Sequence, residues 1–396
     1  MRGEAKAAQP LAKRARFWCN RAMATHDARH GAHMARYPWT IAANLIANTV
    51  TYAFGDRGDA YASFFGPSGY RRPEDYAAEV ERLVEASPEV ASRVTLAPET
   101  VEGRALEVVR VRRPGLPATA PRVLLTSLLH AREFITGETA MTVLEEVLAG
   151  ASEPARRLAE RCELDVLPIV NPDGVALNVE RMVGWRERFG ALHRGNARGV
   201  DLNRNFGYGY SNHERAYSWR MSDEFAGSGP FSEPESRALK ALCEQRRYAA
   251  VINLHSYSNV LIYPRFGGPE IDAVAEEVAL TLPALQPEVP YTPVQGARFF
   301  KDFPGARLLF EAVRGTEWVH GTFDDWLYSM GTHALLIEIS SPGFLPEHLG
   351  EMAISQLRVF NPPPAERRAT IDNVLPAIYG FFHGVLDRTH PLEPRR

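Results

Sequence analysis

VLLTSLLHAREFITGETAMTVLEEVLAG, residues 123–150, holds both halves of the fold in one stretch. Residues 123–129 are an almost unbroken apolar run, the pattern of a strand covered on both faces. From Phe134 onward, apolar side chains recur at helical spacing, and Gly150 closes the pattern as a residue that adopts the left-handed cap at little cost. Between the two stands HARE, His130 to Glu133. It sits after a buried strand and before a helix, where open α/β sheets gather their ligands.

The same alternation extends in both directions. Pro73 opens an amphipathic helix, PEDYAAEVERLVEAS, and ALEVVRV (105–111) alternates as a strand. LDVLPIV (164–170), AAVINL (249–254) and HALLIEIS (333–340) read as further buried strands. EPESRALKALCEQR (233–246) and a segment near 370–386 read as helices. Buried strands alternating with helices predict an α/β sandwich around a mostly parallel sheet. Residues 171–234 show little periodicity and many Gly, Asn, Arg and Tyr, so they are expected to form a long functional loop.

Composition narrows the function classes. The chain has 396 residues, 45% of them hydrophobic and 23% charged, with a net charge of −3, which describes a globular protein with a full-sized core. That charge excludes a nucleic-acid binder acting through bulk basicity. Cys19, Cys162 and Cys243 cannot build a disulfide framework, and the last two are expected to be buried free thiols. The most apolar long stretch, 37–55, is interrupted by Asn44, Asn48, Thr49 and Thr51, so no integral membrane segment is expected. It reads as an amphipathic helix in an N-terminal extension covering 1–66. It would lie where a leader's apolar region belongs only if translation began at Met34. A cytoplasmic or a secreted location is left open. His26, His30 and His33 in this extension read as a solvated helical face, since no thiol or carboxylate joins them. Gly66, Pro67 and Gly69 punctuate its end.

Four motifs carry chemistry. In HARE, a His and a Glu three apart can reach one cation. With 12 His in the chain, one such spacing is expected by chance. The second, His348 to Glu351, reads as a helix surface. The second motif is NLHSYSNVLIYP (253–264), in which His255 ends a buried strand. Two His and one Glu at neighbouring strand ends would leave a fourth zinc position open, as in a catalytic site. The third runs from NPDG (171–174) through GWRERFG to GVDLNRNF (199–206). Its arginines, Arg186 and Arg204, suit either a forked grip on a carboxylate or stabilisation of a developing oxyanion. The fourth is GTFDDWLYSMGTHALLIEIS (321–340). Glu338 stands there in an apolar run, where burial should raise its pKa and make it a general base.

In these motifs and their order, the chain resembles the zinc metallocarboxypeptidases of the carboxypeptidase A/B type, the peptidase M14 family, over residues 67–388. A short tail, 389–396, would follow. The resemblance implies a single catalytic domain with a central mixed, mostly parallel eight-stranded sheet between helices, and one Zn2+ per chain. It implies that His130, Glu133 and His255 ligate the zinc and that Glu338 is the general base. Arg186, after Trp185, would polarise the scissile carbonyl. Asn203 and Arg204 would hold the free C-terminal carboxylate of a peptide substrate, with Arg132 and Tyr257 as secondary contacts. Asp324 falls at the pocket-floor position and suits a basic or diamino terminal residue. One departure stands out: the family's mobile Tyr is replaced by Glu317 or Trp318. The activity implied is that of an exopeptidase. A same-fold amidase acting on cell-wall peptides is the nearest alternative, and an inactive peptide-binding module the most distant.

Overall fold

The computed structural model describes residues 64–66, 68–183, 192–264, 269–296, 319–339 and 356–390. Eight strands form one sheet: β1 (Ala91–Leu96), β2 (Leu106–Val111), β3 (Arg122–Thr126), β4 (Glu163–Leu167), β5 (Ala250–His255), β6 (Val260–Tyr263), β7 (Thr292–Gln295) and β8 (His333–Glu338). Their spatial order is β1-β2-β4-β3-β5-β8-β6-β7. The core pairs β4–β3, β3–β5 and β5–β8 are parallel, as is β6–β7. The pairs β1–β2, β2–β4 and β6–β8 are antiparallel, so the sheet is mixed.

β3 and β5 are buried along nearly their whole length, which explains their continuous apolar runs. Among the described residues, eight helices have seven residues or more. They are α1 (Pro73–Ala86), α2 (Phe134–Ala149), α3 (Glu153–Arg161), α4 (Pro172–Val183), α5 (Pro234–Arg246), α6 (Pro269–Thr281), α7 (Phe323–Ser329) and α8 (Pro364–Thr389). α2 is buried on almost every side from Phe134 to Leu144 and ends at Gly150, whose φ of 61° and N–H to Glu146 O make the left-handed cap. α8 packs along α2, α3 and α6. From β3 the chain crosses through α2 to β4 on one side. The strands β5 and β8 lie on the other. The carboxyl ends of β3 and β5 therefore flank the point where strand order reverses, the usual position of a ligand cleft.

Several expectations are corrected. The loop expected over 171–234 contains α4, which NPDG opens with Pro172 in its first turn. Strands β1, β6 and β7 and helices α3, α6 and α7 were not anticipated. β1 is largely exposed, and β7, though mostly buried, is a short edge strand carrying Pro293, so neither sequence reads as a strand. The last helix extends over Pro364–Thr389, beyond the expected 370–386. Phe64 and Phe65, placed within the expected extension, pack in the core against Phe134, with ring centroids 5.5 Å away. Residues 1–63, His348 to Glu351 and most of the 389–396 tail lie outside the described residues. Cys162 and Cys243 are buried free thiols, and burial pushes the Cys162 thiol up to about 12. Among the described residues, no helix is long and apolar enough to cross a membrane.

Candidate metal centre and cleft

His130 and Glu133 stand on the tight connection from β3 into α2, and His255 is the last residue of β5. Because β3 and β5 are neighbours, the three side chains meet. His130 Nδ1 lies 2.8 Å from Glu133 Oε1 and 2.9 Å from His255 Nδ1, and His255 Nδ1 lies 3.1 Å from Glu133 Oε2. Their ligand atoms all fall within 4.8 Å of one another, and all three residues are buried. The Ser256 N–H donates to Glu133 Oε2 at 3.1 Å and fixes the carboxylate from the next residue of the chain.

The donor chemistry fits a zinc ion. His130 Nε2 is 3.1 Å from Asp201 Oδ1. That carboxylate selects the Nε2–H tautomer and turns the Nδ1 lone pair inward, as for metal-binding histidines. Two imidazole nitrogens and a carboxylate then face one another in a dry site, an arrangement that a divalent cation relieves.

Asp201 is a hub that sequence reasoning missed, although it lies inside the quoted GVDLNRNF. Besides His130, its carboxylate accepts the Asn203 N–H at 2.8 Å and Arg194 Nε at 2.9 Å. Burial alone would raise its pKa, but Arg194, Arg204 and His130 outweigh burial and hold it well below the usual carboxylate range. Arg194 was also missed. Its Nη1 lies 3.9 Å from Glu133 Oε1, and its carbonyl accepts the Ala131 N–H, tying HARE to the loop before GVDLNRNF. An isolated Arg in a loop gives no sequence signal of this kind.

Glu338 ends β8 directly opposite His255 in the parallel β5–β8 register. Its Oε2 is buried without a hydrogen-bond partner among the described residues. Burial, together with the Glu133 and Asp324 charges and against the opposing pull of His255 and Arg194, pushes its pKa up to about 8. A carboxylate with raised basicity beside a metal-ligand set is equipped to take a proton.

The residues expected to meet substrate fall in two local groups, one at the start of α7 and one around Phe360. Asn203 and Arg204 lie in a short turn, Leu202–Arg204, both buried. Asn203 Oδ1 accepts the Phe323 N–H at 2.9 Å, and the Phe206 N–H donates to Gly321 O at 3.0 Å, so this turn is stitched to the start of α7. Gly321 has φ +65°, and a Cβ there would run into the Arg204 carbonyl, which requires glycine. Arg132 Nη1 donates to Asp223 Oδ2 at 2.9 Å, and its guanidinium lies 4.3 Å over the Phe360 ring. Tyr257 meets the same ring edge-on, with centroids 5.2 Å apart. Asp324 is buried in α7. Its Oδ2 accepts Asn253 Nδ2 at 3.3 Å, and Oδ1 has no partner among the described residues. Arg186, Glu317 and Trp318 lie outside the described residues.

A mixed α/β sheet that carries a two-His, one-Glu donor set at its switch point, with a basic carboxylate alongside, defines a single-metal hydrolase architecture. Residues 76–358 match the peptidase M14 family, described as zinc carboxypeptidase, and the chain belongs to that family. It is 26% identical over 277 residues to carboxypeptidase A2 of Rattus norvegicus, covering 67% of this chain and 61% of that one. It is 25% identical over 321 residues to carboxypeptidase B of the same species, covering 79% and 73%. The chain thus spans somewhat less than two thirds of the carboxypeptidase A2 sequence. The crystal structure of thrombin activatable fibrinolysis inhibitor shares the fold, with a TM-score of 0.64 at 22% identity, over 82% of this chain and 79% of that one.

Proposed function

We propose that the protein is a zinc-dependent exopeptidase that hydrolyses the C-terminal peptide bond of peptides. The observation that carries this reading is the β5–β8 register, which sets Glu338 beside His255 and so beside the whole donor set. When bound by His130, Glu133 and His255, zinc supplies Lewis acidity toward the scissile carbonyl. Glu338 takes a proton from the attacking water and passes it to the leaving amine. Arg186 steadies the carbonyl oxygen as charge develops there. Asn203 and Arg204 bind the free terminal carboxylate, which restricts cleavage to the last bond. Arg132 and Tyr257 contact the peptide upstream.

Asp324 supports a preference for a basic or diamino terminal residue. A buried carboxyl with one oxygen unpartnered among the described residues gains most from a cationic side chain. The test is hydrolysis of blocked dipeptides ending in Phe, Leu, Lys, Arg and diaminopimelate, with zinc content measured on the same sample. Release of the terminal residue is expected from wild type. Glu338→Gln should keep its zinc and lose at least ~100-fold in kcat. Stoichiometric zinc with no cleavage of any free-acid peptide overturns the exopeptidase reading.

A further inference from the structure

Two buried guanidiniums are each paired with one of two consecutive carboxylates, the buried Glu224 and the more exposed Asp223. Arg204 Nη2 donates to Glu224 Oε1 at 3.2 Å, and its Nη1 donates to Asn203 O at 2.8 Å. Arg132 Nη1 donates to Asp223 Oδ2 at 2.9 Å and, at 3.4 Å, to Leu192 O. Each cation lies over an aromatic ring, Tyr217 at 5.8 Å and Phe360 at 4.3 Å. Both arginines are buried, and each keeps a buried Nε–H with no hydrogen-bond partner among the described residues. A buried donor left unpaired is costly, and it persists where a ligand supplies the acceptor.

We propose that Asp223 and Glu224 are positioning residues which together aim Arg132 and Arg204 at the substrate. This rests on the reading of Arg204 as the grip on the terminal carboxylate. The contrary view is that Glu224 stands where the substrate carboxylate goes and must leave first. Two features oppose that view. Glu224 Oε1 meets Arg204 at Nη2, while Nε faces Asp201 Oδ2 at 3.9 Å, beyond hydrogen-bond reach, so Glu224 does not take the paired donors of the fork as a stand-in carboxylate would. The segment is also part of the floor of the site. The Glu224 N–H donates to Ser222 Oγ at 3.1 Å, Phe225 O accepts the Asp201 N–H at 2.8 Å, and the Ala226 N–H donates to Tyr217 O at 3.0 Å. One stretch of chain therefore braces the terminal grip, the upstream contact and, through Asp201, the metal ligand His130.

The test uses the zinc-loaded enzyme with a blocked dipeptide and a blocked tetrapeptide. Calorimetry follows an N-benzoyl amino acid and its amide. Glu224→Ala should raise KM for the dipeptide about tenfold, with kcat held within about twofold. Affinity for the N-benzoyl amino acid should fall by the same factor, and affinity for its amide should not. Glu224→Asp, which retracts the acceptor by one methylene, should give a similar rise in a variant that disturbs the fold less. Glu224→Gln, which keeps the acceptor, should restore most of the affinity. Asp223→Ala should raise KM for the tetrapeptide more than for the dipeptide. Tighter binding of the free acid by Glu224→Ala or Glu224→Asp overturns the proposal, and so does an equal loss toward acid and amide. If Arg204→Ala leaves the preference for acid over amide intact, the exopeptidase reading fails instead, whatever the Glu224 variants do.

Discussion

Asp324 is the residue at which the proposed preference for a basic end would depend on charge. Burial and the neighbouring Asp325 raise its pKa, His255 and the Asn253 amide lower it, and the balance is about 6. Below that pH the carboxyl is neutral and offers no charge to a cationic substrate end; above it the charge is present. The ratio of kcat/KM for an Arg-ended peptide to that for a Phe-ended one should therefore fall as pH drops through about 6. The limiting slope is ~10-fold per unit. Changes at Glu338 act on both substrates and cancel in the ratio. Asp324→Asn should lower the ratio above pH 6 and make it independent of pH, as read from paired pH profiles. At this scale, the cluster of His130, Glu133 and His255 and the buried Glu338 were legible because polar residues interrupt or follow apolar strand runs there. Arg194 and Asp201 break no pattern, and their roles depend on what a distant strand end brings beside them.

Helix α5 shows the same competition within one element. Pro234 and Glu235 begin it, and an acid in the first turn is normally favoured there. Glu235 is nevertheless wholly buried. Its Oε2 shares the Asn196 amide with Glu233, at 3.1 Å and 2.9 Å, and Oε1 has no partner among the described residues. Burial pushes its pKa up to about 7. The native state therefore holds a proton that the unfolded chain has already lost above its ordinary value near 4.5. Stability should fall as pH rises across that window, by roughly 3 kcal/mol in full. Glu235→Gln should match wild type near pH 5 and exceed it near pH 8, as read from urea midpoints. The sequence identified α5 as a helix from its period. It could not show that the first turn is covered by the Asn196 loop.

For the whole molecule, a metal bound by His130, Glu133 and His255 would also be a cross-link. His130 and Glu133 come from the β3–α2 connection, His255 from β5, and Asp201 reaches His130 from the long loop. A cation bound only by the native state stabilises it by mass action, by about 4 kcal/mol at a free concentration 1,000 times Kd. Chelation should lower the melting temperature of the wild type, and added zinc should restore it. His255→Ala should lose most of this response. An unchanged melting temperature on chelation, with zinc shown to have been removed, would count against the ion joining these elements.

The sequence by itself determined the α/β class, the central strands β3, β4, β5 and β8 and the candidate metal cluster of His130, Glu133 and His255, because burial on two faces and ligand chemistry each restrict residue type locally. The resemblance added the mixed character and the count of eight strands, which the structure bears out. Tertiary structure alone decided the outer strands β1, β6 and β7, whose pairing depends on a neighbouring strand more than on their own pattern. It also decided the network of Arg194, Asp201, Asp223 and Glu224. Charged residues in loops look alike in a sequence, and only folding shows which of them are taken out of water and set against a particular partner.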